Sequence, residues 1–443
     1  MVSAQRRREI IDALRRGTVP DRGLDVLAVG LDRFAPVLDD ELDQIAVGRA
    51  GFKAIRGEYG SGKTFLARWL CERARSQGFA TSEVQVSEGE TPLHRLETVY
   101  RRAVERLATP DMQGGALRSV VEGWFYTLEE DVLASGEVDE EDEEALLAAT
   151  NALAEQRLEE VTRQAPSFGA VLRGYRHALS QGDASAAEGL LAWLGGQPHV
   201  AASVKRQAGI KGDLDHDGAL GFLAGLLVLL RDAGRPGMVL VLDEVETLQR
   251  VRSDVRERSL NALRQLIDEV DGGRFPGLYL VITGTPAFYD GPQGMQRLAP
   301  LAQRLHTDFT AQPRFDNPRA PQLRLQGFSR EALEEIGRRV RDLYAEGSAA
   351  PQRVHERVDD AYVRMLADAV TGELGGQVGI APRVFLKKLV EAVLDRVDLH
   401  EDFDPRRDYP LTLTDGELTE VERNARAATS VDDIDLDLEE GDP

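Results

Sequence analysis

The chain has 443 residues, of which 42% are apolar and 29% charged, with one cysteine and a formal net charge of −22. At that length two or three folded domains are expected, and the composition excludes a disordered chain, a disulfide-stapled one and a membrane-spanning one. The longest apolar run, residues 219–230, falls well short of the ~20 residues that cross a bilayer. The opening MVSAQRRREIIDALRR lacks the apolar centre of a secretion signal, so the cytoplasm is the expected compartment. The acidity is concentrated: residues 129–144 hold ten carboxylates and residues 432–442 hold seven, neither block with a Lys or Arg. These read as a solvated loop or helix tip and a disordered tail. Elsewhere the charges nearly balance, so composition neither predicts nor forbids contact with nucleic acid.

In chain order, residues 3–16 place Ile10, Ile11 and Leu14 among arginines, the spacing of a surface helix with one buried stripe. It is expected to pack beside the domain that follows. An apolar segment, LDVLAVG, comes next, and helical spacing resumes over residues 34–46. Residues 52–70, FKAIRGEYGSGKTFLARWL, then give an apolar strand, the loop GEYGSGKT and an apolar-periodic helix. In that loop Gly57, Gly60 and Gly62 let backbone N–H groups curl around phosphate oxygens, with Glu58, Tyr59 and Ser61 between them. Lys63 reaches the β- and γ-phosphates, the Thr64 hydroxyl can ligate Mg²⁺, and Phe65 sits in the first turn of a helix whose N-terminus faces the same anion. ATP and Mg²⁺ are the expected ligands. Just ahead of the loop, Val19, Pro20, Ala28, Val29 and Gly30 are candidates for an adenine-pocket wall or for ordinary core.

The helix runs to about residue 77, and residues 78–87 read as a second strand, which begins a parallel sheet. From residue 91 to about 237 the spacing is helical, as in RLETVYRRAVERLA and RSVVEGWFYTLEEDVLA, so a separate helical subdomain is expected over 93–236. Its Trp124, Phe125 and Trp193 read as core. Residues 238–242 form a continuous apolar run, as in a strand buried on both faces. That strand ends in Asp243, placed to hold Mg²⁺ through water, and Glu244, placed to polarise an attacking water; the competing reading is an acidic helix cap. After an amphipathic helix over 253–271, a further strand ends in Thr283, which can touch the γ-phosphate or lytic water, or can simply form a turn. Arg297 and Arg304 follow on a helix, either as a finger offered to a neighbouring subunit of a homo-oligomer or as surface arginines. From residue 328 the pattern is that of a helical lid. Within it Pro382 suits a first helical position, and Arg383, disfavoured there by the helix dipole, is assigned to bound phosphate. The expected domains are an N-terminal segment (1–48), a nucleotide core (49–92 with 237–313), the helical insertion (93–236), the lid (314–400) and an acidic tail (401–443).

The ordered set of loop, paired acids, polar strand tip and helical lid with a Pro-Arg step resembles the AAA+ class of P-loop ATPases, particularly its origin-recognition and STAND branches, across residues 19–396. The expected fold is therefore α/β, an AAA+-like parallel sheet sandwiched by helices. More narrowly, REIIDALRRGTVPDRGL, LAVGLDRF, the loop segment, SEGETPLHRLETVYRR and VLDEVETLQR resemble the ATP-binding proteins of bacterial BREX phage-defence systems, the BrxC/BrxD group. That resemblance implies an ATPase acting on or near DNA with DNA-processing partners such as a helicase. The acidic blocks argue against broad DNA wrapping, which needs dense Lys/Arg contacts, and leave Arg252, Arg256 and Arg258 as local candidates at a DNA channel. The alternative is a nucleotide-gated, STAND-like switch or scaffold with little turnover.

Overall fold

A computed structural model describes residues 2–136, 138–139, 141–373, 382–412, 416 and 423. Most of the expected acidic tail, including the run 432–442, lies outside them: beyond residue 412 only residues 416 and 423 are described. By contacts the chain divides into two units, one of residues 35–56 and 70–323, the other of residues 1–34, 57–69 and 324–443.

The first unit is built on a five-stranded parallel sheet. Its strands are β1 (Gly51–Arg56), β2 (Ala80–Gln85), β3 (Met238–Asp243), β4 (Leu278–Gly284) and β5 (Gln322–Arg324), in spatial order β2-β3-β4-β1-β5. Every residue of β3 and β4 is buried, which is why MVLVLD and LYLVITG are apolar without alternation. The α/β class and the four long strands agree with the sequence, but β5 was not foreseen. Three residues are too short to show a period, and β5 follows Pro318 and Pro321 in a stretch that reads as loop.

The register fixes what happens at the carboxyl edge. Gln85 pairs with Asp243, Leu242 with Ile282, and Arg56 with Gly284, so the last residues of β2, β3, β4 and β1 share one end of the sheet. Two buried cations secure β1. Lys53, 1% exposed, donates to the Pro318 and Ala320 carbonyls at 3.1 and 2.9 Å and pairs with Glu41 at 2.6 Å. Arg56 pairs with Asp290 and packs over the Tyr289 and Phe309 rings.

Between β2 and β3 the described residues form helices, from Leu96–Glu105 to His216–Asp232. Trp124, Phe125 and Trp193 are buried in their shared core, as the apolar stripes predict. The acidic block lies on a helix tip and a cap. Glu129 pairs with Arg176 at 2.7 Å, Asp131 with Arg157 at 3.0 Å, and Asp142 accepts from the Ala145 amide to start Glu143–Arg157. Desolvation lowers the Arg176 pKa, with Glu129 opposing it.

The second unit has its own core. Ser3 caps the helix Ala4–Arg15, whose Ile10, Ile11 and Leu14 pack with Leu333, Ile336, Val340, Phe385 and Leu389 of the C-terminal helices. The stripe of residues 3–16 is thus satisfied by the far end of the chain, a pairing that no local pattern reports. Helix Pro382–Lys387 continues as a π-helical segment, Lys388–Leu394, before Asp395–Leu399.

Candidate functional site

The loop after β1 is shaped by its glycines. Gly60 and Gly62 take φ of +76° and +93°, where an L side chain is strained. At Gly57 the constraint is space, since a Cβ there would run into Ser61 Oγ and lie 3.2 Å from Leu325 Cβ. With those turns made, Lys63 folds back over the loop. Its Nζ donates to the Gly57 and Glu58 carbonyls at 2.9 and 3.1 Å and lies 5.3 Å from the Tyr59 ring centroid. Glu58 and Tyr59 are exposed, whereas Ser61 is buried with an Oγ that finds no hydrogen-bond partner among the described residues. A buried hydroxyl without a partner is costly and fits a loop built to meet an oxyanion. The helix Lys63–Ser76 begins at Lys63 itself, with half-buried Thr64 in its first turn and Phe65 against the core of the second unit.

Segments on either side in sequence hold this loop. Arg68 donates to the Val19 carbonyl at 3.1 Å and Trp69 Nε1 to Asp25 at 2.7 Å. Pro20 is buried, Ala28 and Val29 are half-buried, and Gly30 is exposed. Phe328 stands 3.6 Å from where a Cβ on Gly62 would lie. Arg383, half-buried in the first turn of its helix, has its guanidinium 3.7 Å from the corresponding position on Gly17. Loop, pre-loop segment and Arg383 all belong to the second unit.

In the first unit, the carboxyl edge of the sheet gathers Asp243, Glu244 and Thr283. Thr283, 0% exposed, donates its hydroxyl to the Asp243 carboxylate and accepts the Glu244 amide at 3.1 Å. One donor and one lone pair are thereby used, so the threonine links the two acids. Glu244 has φ +61° and ψ +43°, a left-handed conformation costing a non-glycine residue on the order of 1–3 kcal/mol. Four bonds offset that cost. Besides the Thr283 contact, the Glu244 carbonyl accepts the Thr247 hydroxyl at 2.9 Å and the Thr247 amide at 3.1 Å, and Gln85 Nε2 donates to Glu244 Oε2 at 2.8 Å. The strained backbone turns Glu244 away from the line of β3 while Asp243 stays in it.

Sequence reasoning missed Gln85 altogether. It ends an edge strand, and only the β2–β3 register makes it a neighbour of the acids. For the arginines the structure gives specific partners. Exposed Arg304 pairs with Asp268 and Asp271 at 3.0 and 2.9 Å, and Arg297 is exposed. Arg252 and Arg258 both pair with Asp254, and Arg256 donates to the Leu248, Gln249 and Val251 carbonyls.

Among the described residues no helix is long and apolar enough to cross a membrane. No curated protein matches the chain. A sequence model of one protein family matches residues 2–412, nearly the whole chain, including the loop, both acids, Thr283 and Arg383. This protein belongs to that family, described as BREX system ATP-binding protein BrxC/D.

Proposed function

We propose that the protein binds ATP with Mg²⁺ and hydrolyses it, as an AAA+-type P-loop ATPase of a BREX defence system. Family membership supports the ATP-binding role and its setting. The observation that carries hydrolysis is the strained, four-bonded Glu244 beside Asp243. The phosphate loop starts one peptide bond beyond Arg56, the last residue of β1.

In this reading Lys63 exchanges its two carbonyl partners for phosphate oxygens, and Ser61, Gly60 and Gly62 present the loop to them. Thr64 and Asp243 would hold the metal. Two protein donors suit Mg²⁺, which keeps several waters and binds through one or two protein oxygens plus phosphate. When bound, Mg²⁺ supplies neutralisation of developing phosphate charge. Glu244 accepts the proton of the attacking water, and Thr283 fixes both acids rather than reaching phosphate itself. Arg383 reports nucleotide state to the helices against whose core Phe65 already packs. A neighbouring subunit could receive Arg304 only after it leaves Asp268 and Asp271, so specific activity should then rise with protein concentration. Association with DNA and a helicase partner rests on the family alone.

The test is Glu244→Gln, which keeps size and can still engage Gln85. A positioned general base contributes roughly 10²–10⁴-fold, so turnover should fall by about that factor with ATP affinity retained. Wild-type turnover would remove Glu244 from the role. A second reading, a nucleotide-gated switch with little turnover, is favoured by the Gln85 contact, which occupies the carboxylate that hydrolysis needs. Purified protein carrying ADP and turning over negligibly would select it.

A further inference from the structure

The segment ahead of the glycine-rich loop is held by side chains from two distant parts of the chain. Trp69, on the helix that follows the loop, donates to Asp25 at 2.7 Å. From the other side comes Arg339, half-buried on the helix Arg330–Ala345. Its Nη1 donates to the Ala28 and Val26 carbonyls at 3.2 and 3.4 Å, while its Nε donates to Glu335 at 2.8 Å, which aims the guanidinium. Bonds from a charged donor are stronger than neutral ones, so this clamp fixes the backbone of residues 26–28. Loop, segment and Arg339 all lie within the second unit.

What the clamp leaves over is specific. The Ala28 amide is spent on the Asp25 carbonyl at 3.3 Å, and the Ala28 carbonyl on Arg339. Among the described residues the Val29 amide, the Val29 carbonyl and the Gly30 amide have no hydrogen-bond partner. Gly30 takes φ +76° and has open space where a Cβ would stand. Around this edge the half-buried side chains of Val26, Val29, Phe65 and Phe328 pack against one core, and Phe328 stands 3.6 Å from the Cβ position of Gly62 in the loop. Apolar walls with a few placed polar groups suit a flat heterocycle, and a donor beside an acceptor suits a purine edge. Adenine presents an amino donor beside a ring-nitrogen acceptor; guanine presents a carbonyl acceptor beside an N–H donor. A fixed donor-acceptor pair therefore matches one base and leaves the other with unpaired polar groups.

We propose that Arg339 is a positioning residue for base recognition: by clamping the Val26 and Ala28 carbonyls it leaves Val29 and Gly30 to read the base, and holds them so that adenine is selected over guanine. Without the clamp both carbonyls are released and the segment can turn to accept either edge. The inference rests on the nucleotide-binding reading above.

The experiment measures binding of ATP, GTP and inorganic tripolyphosphate to the full-length protein by calorimetry. The wild-type chain should prefer ATP to GTP by about tenfold or more. Arg339→Ala should weaken ATP binding by about that factor and leave GTP and tripolyphosphate unchanged, so the preference disappears. Arg339→Lys, whose ammonium can still donate to the two carbonyls, should recover most of it. A general loosening of the fold weakens all three ligands together and cannot imitate this pattern. Turnover at saturating ATP should hold in Arg339→Ala, because Glu244 is untouched, while the half-saturating concentration rises. A wild-type chain that does not distinguish ATP from GTP, or an Arg339→Ala protein that keeps the wild-type ratio, overturns the positioning role. If ATP binding still depends on Lys63 in that case, the nucleotide-binding reading stands without it; binding of none of the three ligands removes both.

Discussion

The glycine-rich loop and the acid cluster reach their geometry by opposite means. In the loop almost everything is local: two glycines with positive φ, a third with no room for a Cβ, and a lysine bonded to carbonyls five and six residues back. At the acids almost nothing is. Glu244 is held by Thr283 and Gln85, which lie 39 and 159 residues away in sequence, through strands that must first pair in register. Local geometry survives distant mutations and fails at a glycine. Long-range geometry tolerates local change and fails when a remote hydroxyl or amide is removed.

The largest contrast should come from Lys63→Ala. It deletes a cation that makes charge-assisted bonds, each on the order of 1.5–3 kcal/mol, so ATP affinity should drop roughly tenfold to 150-fold. Thermal unfolding of the sheet should hardly change. Titration with a fluorescent ATP analogue reads the first quantity and calorimetry the second; a large fall in melting temperature would mean that the lysine is structural. Thr283→Val should do the reverse. Removing its hydroxyl leaves the buried Asp243 carboxylate and the Glu244 amide short of a partner, costing about 1–3 kcal/mol and lowering turnover with nucleotide affinity little affected. Thr283→Ser should restore most of both. If Thr283→Val instead weakens ATP binding while leaving stability intact, the threonine touches phosphate and the linking role is wrong. Gly57→Ala should cost a similar amount, about 1–3 kcal/mol of overpacking, but confined to the loop and seen as weaker ATP binding without loss of the sheet.

The same division explains what the sequence could tell. GEYGSGKT was legible because each requirement falls on a residue within eight positions, and MVLVLDE because a doubly buried strand must be apolar to its end. The α/β class followed from those two runs. What stayed hidden depended on pairing across the chain. Gln85 is an ordinary polar residue at the end of an edge strand, β5 is three residues long, and the left-handed Glu244 carries no glycine to announce it. Thr283 was visible as a polar strand tip, but not as the atom bridging two acids, because the β3–β4 register is not written in either strand. The helix of residues 3–16 showed its apolar stripe and concealed its partner, some 320 residues away at Leu333 and beyond.

Gln85→Ala carries the smallest expected effect and is the most informative about the acid cluster. A hydrogen bond to a charged group contributes about 1.5–3 kcal/mol when buried, but Gln85 is exposed, so solvent screening leaves a fraction of that, within roughly a few-fold in rate. Its sign is what matters. If the amide restrains the carboxylate, its removal frees Glu244 and basal turnover rises. If the amide aims the carboxylate at water, removal lowers turnover, and Gln85→Asn, one methylene shorter, lowers it as well. The backbone favours restraint, because Thr283 and Thr247 already fix the orientation of Glu244 from both sides of the peptide. A carboxylate so placed needs no further aiming, and the expected result is a modest rise in steady-state hydrolysis with unchanged ATP affinity. A fall would make Gln85 part of the catalytic geometry and leave the two threonines insufficient to set it.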